Sequence, residues 1–363
     1  MRYELLAVIL IILCLIILGF EYLWLSLLAE KQEDAVSKRS NAKKKIHKMI
    51  EGLLYCPTKS VLEKETEALK KFIGNNSQNL EIACDELTRL KAAGVDVLGE
   101  KAKVIDDLYN IIDPISTFGK ILKEGDTYNK GYACRRLADF HATEYIPDIR
   151  KLAESKNRDL SYNSAMALSM LGDVESVAKF ILRIQNDKKY SHRIIMELFA
   201  ECTGDRAALA EQIFSDCNEY MMLTTIKAIA PFKIEKFEKL FLEGLKSTNN
   251  AMKIACVKAI GSLEKPENEH TLLIALKDKD WVVRSSAIKG LQKLRTSAAI
   301  SGVKQATQDK EWWVRQAAAQ ALLEMKVSIK DIEDILQGYD KYAADAVKYS
   351  LYRAVDMRED AYK

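Results

Sequence analysis

With 363 residues, 48% of them hydrophobic and 29% charged, the chain has the composition of an ordered protein long enough for more than one domain. Five prolines and 15 glycines are too few for a linker-rich or large all-β chain. The net charge of +3 is local: residues 1–29 sum to −1, residues 30–48 to +4 and residues 49–363 to zero, so the bulk of the chain has no global electrostatic reason to hold a nucleic acid.

Leu5 to Phe20 is an unbroken run of 16 apolar or small residues, and Tyr22 to Ala29 stays mostly apolar beyond Glu21. A helix of about 20 residues, rising ~1.5 Å at each, crosses a bilayer's hydrocarbon core, so residues 3–28 are expected to form a transmembrane helix. Tyr3 at one end and Tyr22 with Trp24 at the other suit the two interfaces and place Glu21 near a headgroup layer. A cleaved signal peptide is the competing reading. The length of the run, its weakly basic start and the absence of a small-x-small cleavage site argue against that reading.

Residues 29–57 read as a basic juxtamembrane helix or linker. One Arg precedes the span, whereas Lys31, Lys38, Arg39, Lys43, Lys44, Lys45 and Lys48 follow it, so the positive-inside rule expects a single-pass protein with its N-terminus outside and the rest in the cytoplasm. Lys38, Arg39, Lys43, Lys44, Lys45 and Lys48 are the candidate membrane-surface residues. A plain stop-transfer flank is the favoured account of them over a specific lipid-headgroup site, although beside an anionic leaflet each cation is worth about 1 kcal/mol near the surface.

Residues 58–117 are expected to form a helical cap. Ser60 and Glu63 make a capping box for a helix through Leu62, Leu69, Phe72 and Ile73, ended by Gly74-Asn75-Asn76. A second helix from Gln78 to Ala93 carries Leu80, Ala83, Leu87 and Leu90 on one face, and a third runs from about Gly99 to Ile112, before Pro114. The alternative is a separate membrane-proximal oligomerisation bundle.

From residue 118 to 357 the chain repeats. Asp278 to Leu291 (DKDWVVRSSAIKGL) recurs as Asp309 to Leu322 (DKEWWVRQAAAQAL), an offset of 31. Stepping back by 31 from Leu322 meets Leu291, Ile260, Ile229 and Leu198; from Met325 it meets Leu294, Leu263 and Phe232. Phe241, Leu272 and Val303 form a second frame, and Leu168 and Leu171 lie 31 after Leu137 and Phe140. A fixed period of helix-forming residues predicts an all-α array of about seven or eight stacked helix pairs, each too small to bury its own apolar stripe, followed by a tail over residues 358–363. Ala287, Leu291 and Leu294, at i, i+4 and i+7, are one such stripe, and its alanines allow close helix approach. Asp278 and Asp309 precede the second helices, where carboxylates suit free amides, and Arg284 and Arg315 are placed to reach an Asp of an adjacent unit as a structural ladder.

The pattern Asp-x-x-x-x-Val-Arg-x-x-Ala-x-x-x-Leu at Asp278 to Leu291 resembles the short HEAT-like repeat, including its phycobilisome-lyase-like subtype. The resemblance implies an alpha-alpha superhelix whose second helices line a concave, protein-binding surface. Tetratricopeptide and ankyrin signatures are absent.

Trp281, Trp312 and Trp313 fall on corresponding turns of adjacent units, next to Arg284 and Arg315, and Trp with Arg is a hot-spot composition. These five are the candidate protein-binding residues, with one of Trp312 and Trp313 expected to face outward; covering the edge of the stack is the competing role. Tyr339, Tyr342, Tyr349 and Tyr352 read as a closing cap. No phosphate loop, nucleophile elbow, zinc-protease or kinase signature occurs, so no catalytic, metal or cofactor residues are assigned and no enzyme activity is expected. Cys14, Cys56, Cys84, Cys134, Cys202, Cys217 and Cys256 include no Cys-x-x-Cys pair and read as free thiols of a reducing compartment, and His47, His141, His192 and His270 are dispersed.

These readings converge on a membrane-anchored, cytoplasm-facing scaffold that binds or regulates a protein partner, with no nucleic acid and no small-molecule substrate; a membrane enzyme is one candidate partner. HEAT-like enzymes, the alkylpurine DNA glycosylases and bilin lyases, are the first alternative, opposed by the neutral array and by the lack of a matching catalytic set. A lipid-surface protein acting through the basic run is the second.

Overall fold

The structure, a computed structural model, describes residues 2–54, 59–74, 76–92, 107–108, 110, 112–187 and 190–360; for residues 2–16, 35, 59–62, 77, 88, 91–92 and 355–360 it describes the backbone alone. Every regular element among the described residues is a helix, and the chain divides into two compact units, residues 1–120 and 121–363.

In the first unit α1 spans Arg2–Leu54, α2 Lys59–Ile73 and α3 Ser77–Ala92. Ile46, Ile50 and Leu53, at i, i+4 and i+7 of α1, are buried where α1 packs on α2 and α3. Leu69 and Ile73 of α2 and Leu80, Ala83 and Leu87 of α3 complete this small core, while Leu90 is only half-buried. The Asn76 side chain accepts from the amides of Gln78 and Asn79 and so caps α3. Glu86 is buried beside the core; bonds from Arg89 first, then from His47 at 2.6 Å, outweigh burial and hold its carboxyl below the usual range. Helix α2 already includes Lys59 and Ser60, and the Ser60 side chain of the expected capping box lies outside the described residues, as do most of the helix expected from Gly99, the side chain of Cys14 and the residue Cys56.

The first half of α1 departs from expectation. No helix among the described residues is long and apolar enough to cross a membrane, so the transmembrane span expected over residues 3–28 finds no support there. From Ile17, the first residue of the span whose side chain is described, the helix soon meets Glu21, Glu30, Lys31, Glu33 and Asp34, which leaves no long apolar stretch there. Side chains 3–16 of that span lie outside the described residues. Nor does any break separate the span from the basic stretch, since α1 is one helix throughout.

The second unit begins within α4 (Pro114–Glu124) and continues through α5 (Thr127–Asp139), α6 (Ile146–Ala153), α7 (Arg158–Met170), α8 (Val174–Ile184), α9 (His192–Glu201), α10 (Arg206–Phe214), α11 (Glu219–Ile229), α12 (Glu238–Gly244), α13 (Asn250–Leu263), α14 (Glu269–Ala275), α15 (Trp281–Leu294), α16 (Ser297–Ala306), α17 (Trp312–Met325), α18 (Ile329–Leu336) and α19 (Lys341–Asp360). From α6 onward these fall into helix pairs, usually a short first helix and a longer second one. Each second helix leans on the second helix of the next pair, α5 on α7 through to α17 on α19. Leu137, Leu168, Leu198, Ile229, Ile260, Leu291 and Leu322 all have no exposed surface, so the 31-residue ruler read from the sequence is the spine of the stack. Phe241, Leu272 and Val303 are buried in the first helices. In the companion frame Leu263 and Met325 are buried, Phe140, Leu171 and Leu294 are only half-buried, and Phe232 is 36% exposed with the Arg206 guanidinium 4.3 Å from its ring.

The backbone repeats with the same period. Asp126, Asn157, Asn218, Asn249 and Asp280 cap α5, α7, α11, α13 and α15 by accepting from amides of the first turn. After the second helices, His141, Gly172, Lys233, Glu264, Arg295 and Lys326 adopt positive φ, the reversal that returns the chain to the next first helix. Only Gly172 occupies this left-handed position without a steric cost. Lys326→Gly is therefore expected to raise the stability by up to about 1 kcal/mol in a thermal melt; a loss would show that Lys326 is not held at positive φ.

Candidate protein-binding surface

Helices α15 and α17 start at equivalent places in adjacent units, so the sequence delivers Trp281 as the first residue of one and Trp312 and Trp313 as the first two of the other. The rings form one surface. Trp281 and Trp313 stack with centroids 6.3 Å apart, Trp312 meets Trp313 edge-on at 4.6 Å, and Tyr349 of α19 reaches Trp312 at 6.4 Å. Trp281 is 39%, Trp312 44% and Trp313 59% exposed, so both neighbours at 312 and 313 face outward rather than one. The rings brace one another while leaving broad faces to solvent.

The two arginines diverge. Arg284 is buried, and its Nε and Nη2 each donate to the Asp309 carboxylate at 2.7 Å while Nη1 donates to the Asp278 and Lys279 carbonyls. It ties two adjacent units and offers nothing to a partner. Burial would lift the Asp309 carboxyl, but the Arg284 bonds and the Glu311 amide outweigh it and hold it below the usual range. Lys253 and Asp278, each 31 residues earlier, make the same link at 2.9 Å. Arg315 also donates to two carbonyls, Asp309 and Lys310, but it makes no side-chain bond to Asp340, the next acid in the series: that carboxylate caps α19 through the Tyr342 and Ala343 amides, and the Arg315 guanidinium lies 5.3 Å from the Tyr342 ring. Asp278 and Asp309 do not cap the helices they precede. They close the turns by accepting from Asp280 and Glu311, and Asp280 is the cap of α15.

Tyr349, expected only to help close the array, joins the tryptophan surface, whereas Tyr342 lies 5.3 Å from the Arg315 guanidinium; Lys279, Lys310 and Lys341 carried no expectation. These three lysines are exposed and recur every 31 residues; the ruler that found the core would have found them. In the first unit, Lys38, Arg39, Lys43, Lys44, Lys45 and Lys48 are all exposed on α1. Arg39 pairs with Glu81 at 3.3 Å, Lys38 with Asp34 at 3.8 Å, and Lys45 lies 4.1 Å from the Phe72 ring, so part of the basic run is engaged within its own unit. Among the described residues no group of three His, Cys, Asp or Glu side chains is arranged to hold a metal. Cys134, Cys202, Cys217 and Cys256 are free; burial pushes the Cys134 and Cys256 thiols up to about 11, so they are inert at neutral pH.

A family model described as HEAT repeats matches residues 115–197 and 269–355. Among solved structures, human deoxyhypusine hydroxylase in complex with glycerol is 15% identical, over 74% of this chain and 98% of that one, with a TM-score of 0.30. Two engineered proteins are each 14% identical: one over 85% of this chain and 88% of its own with a TM-score of 0.29, the other over 58% and 96% with a TM-score of 0.27. No curated protein matches. The matched segments contain caps, buried spine residues and positive-φ turns from both ends of the array, so HEAT repeats are detected over residues 115–197 and 269–355 of a chain whose described elements are all helical.

Proposed function

We propose that this chain is a protein-binding scaffold tethered to a membrane by the start of α1, with the repeat array in the cytoplasm. The observation that carries the scaffold reading is the braced, half-exposed aromatic surface of Trp281, Trp312, Trp313 and Tyr349, because rigid rings that gain further burial supply most of the energy of a protein interface. The tether rests on the apolar run Leu5–Phe20 and on its continuation, where Phe20, Leu23, Trp24 and Leu25 are each more than 60% exposed on a helix with no neighbour there to cover them among the described residues. The partner is a protein, a membrane enzyme being one candidate, and no enzymatic activity is assigned.

The helix also limits what the basic run does. Along α1, Lys38 stands about 15 Å and Lys48 about 30 Å beyond Leu28, whereas the headgroup layer is about 5–8 Å deep and charge is screened within about 8–10 Å. An upright α1 therefore leaves Lys43, Lys44, Lys45 and Lys48 out of reach of lipid, which supports a topogenic flank over a lipid-binding site. The test is a pair of reporters fused after Lys363, one active only in the cytosol and one only when exported, combined with alkaline extraction of membranes. Cytosolic activity in an extraction-resistant fraction is expected; export activity reverses the orientation, and release by alkali removes the tether.

A further inference from the structure

Lys279 and Lys310 stand immediately before the caps of α15 and α17, and Lys341 opens α19, so the three side chains emerge at the edge of the tryptophan surface, one per unit. All three are exposed, and none forms a salt bridge among the described residues. The neighbouring carboxylates are drawn inward: Asp280 accepts from the Val282 amide and the Asn250 side chain, Asp340 from two amides of α19, and Asp309 holds Arg284. Glu311 is half-buried and makes no cap bond. Asp345, a turn further along α19, faces Lys348 at 4.0 Å, so the outermost charge at the helix starts is positive, beside indoles that stay 39–59% exposed.

Building on the scaffold reading, we infer that the surface formed by Trp281, Trp312, Trp313 and Tyr349 with Lys279, Lys310 and Lys341 receives an extended, acidic segment of the partner protein. The lysines mark the register. Neighbouring packed helices lie about 8–10 Å apart, and three residues of extended chain cover about 10 Å. A segment with a carboxylate at every third residue and apolar side chains between them places one acid at each lysine and lays the apolar groups on the indoles. A bilayer surface has no such register, which favours the peptide.

Three of the chain's four tryptophans are in this surface, so their emission reports its occupancy. The full chain, in detergent or in lipid nanodiscs, is titrated with a fluorescent 12-residue peptide carrying Glu at every third position with Phe and Leu between, with the same peptide carrying Gln for Glu, and with an isomer whose Glu residues are clustered. Saturable binding with a blue shift of tryptophan emission is expected for the first peptide, at least about tenfold weaker for the other two and weakened by salt. Trp313→Ala and the triple change Lys279→Glu, Lys310→Glu, Lys341→Glu are each expected to lose at least about tenfold in affinity with unchanged circular dichroism and melting, since all four side chains are exposed. Equal binding of the three peptides, or binding unaffected by these variants, overturns the inference. So does an emission change on anionic discs without peptide that the triple change removes, which identifies lipid as the occupant, or a dimer that Trp313→Ala dissociates, which identifies a second copy. A partner protein that binds the triple variant as tightly as the wild type overturns this surface while leaving the scaffold reading standing.

Discussion

Arg284→Ala is expected to cost about 3 kcal/mol in the unfolding of the repeat unit at neutral pH, read by denaturant titration. The substitution removes both bonds to Asp309 and both to backbone carbonyls, and leaves a carboxylate whose side chain is only 14% exposed without a cation. Asp309 in the folded wild type titrates below its ordinary value of about 3.9, so the stability it contributes is fully present above that value and disappears as pH falls through the lower, folded one. The difference between wild type and Arg284→Ala should therefore be large at pH 7 and shrink below about pH 4. Replacing both partners, Arg284→Met with Asp309→Leu, should recover most of the loss, because an apolar pair leaves no buried charge. A difference that stays constant with pH would show that the pair is not the source.

Gly261→Val is expected to cost about 3 kcal/mol for a different reason. A β-carbon on Gly261 of α13 would stand 2.7 Å from the Gly290 α-carbon of α15, backbone against backbone, so the two helices must separate. The Leu272 side chain, 3.0 Å from a β-carbon on Gly290, closes the same site from the preceding first helix. Gly52→Ala is the control. That β-carbon meets nothing within 4 Å in a solvent-facing turn of α1, so the change should gain about 0.5–1 kcal/mol of helix propensity. If Gly261→Val melts like the wild type, the close contact of α13 with α15 is wrong.

The opposite signs expected at Gly261 and Gly52 mark what can be read along the chain. Both are glycines in helices, and the sequence offers no way to tell them apart, because the difference is made by a residue 29 positions away. The same holds for the arginines. Arg284 and Arg315 occupy the same position of the repeated motif, yet one is locked to Asp309 and the other is not locked to Asp340, since the cap of α19 takes that carboxylate. Periodicity found the buried spine from Leu137 to Leu322, because a residue that recurs every unit recurs in the same environment. It misjudged Phe232, which sits in a 3-10 turn beyond the end of α11 at the place where the longer α13 still carries Leu263.

The candidate surface was legible in part. The tryptophans could be named from the motif, but whether they covered an edge or faced solvent depended on how far apart α15, α17 and α19 set them, and on the exposure that remained once each ring had met its neighbours. The first half of α1 was read from hydropathy alone, and the described part of the helix carries too much charge to sustain a span on its own.

By itself the sequence determined the all-α class, the 31-residue unit and the residues of the spine, because apolar spacing and capping residues act within a turn or two of helix. Tertiary structure alone decided which of two like arginines is buried, which glycine admits no β-carbon and which aromatic rings form one surface. Those depend on distances between helices, set by the packing of side chains far apart along the chain.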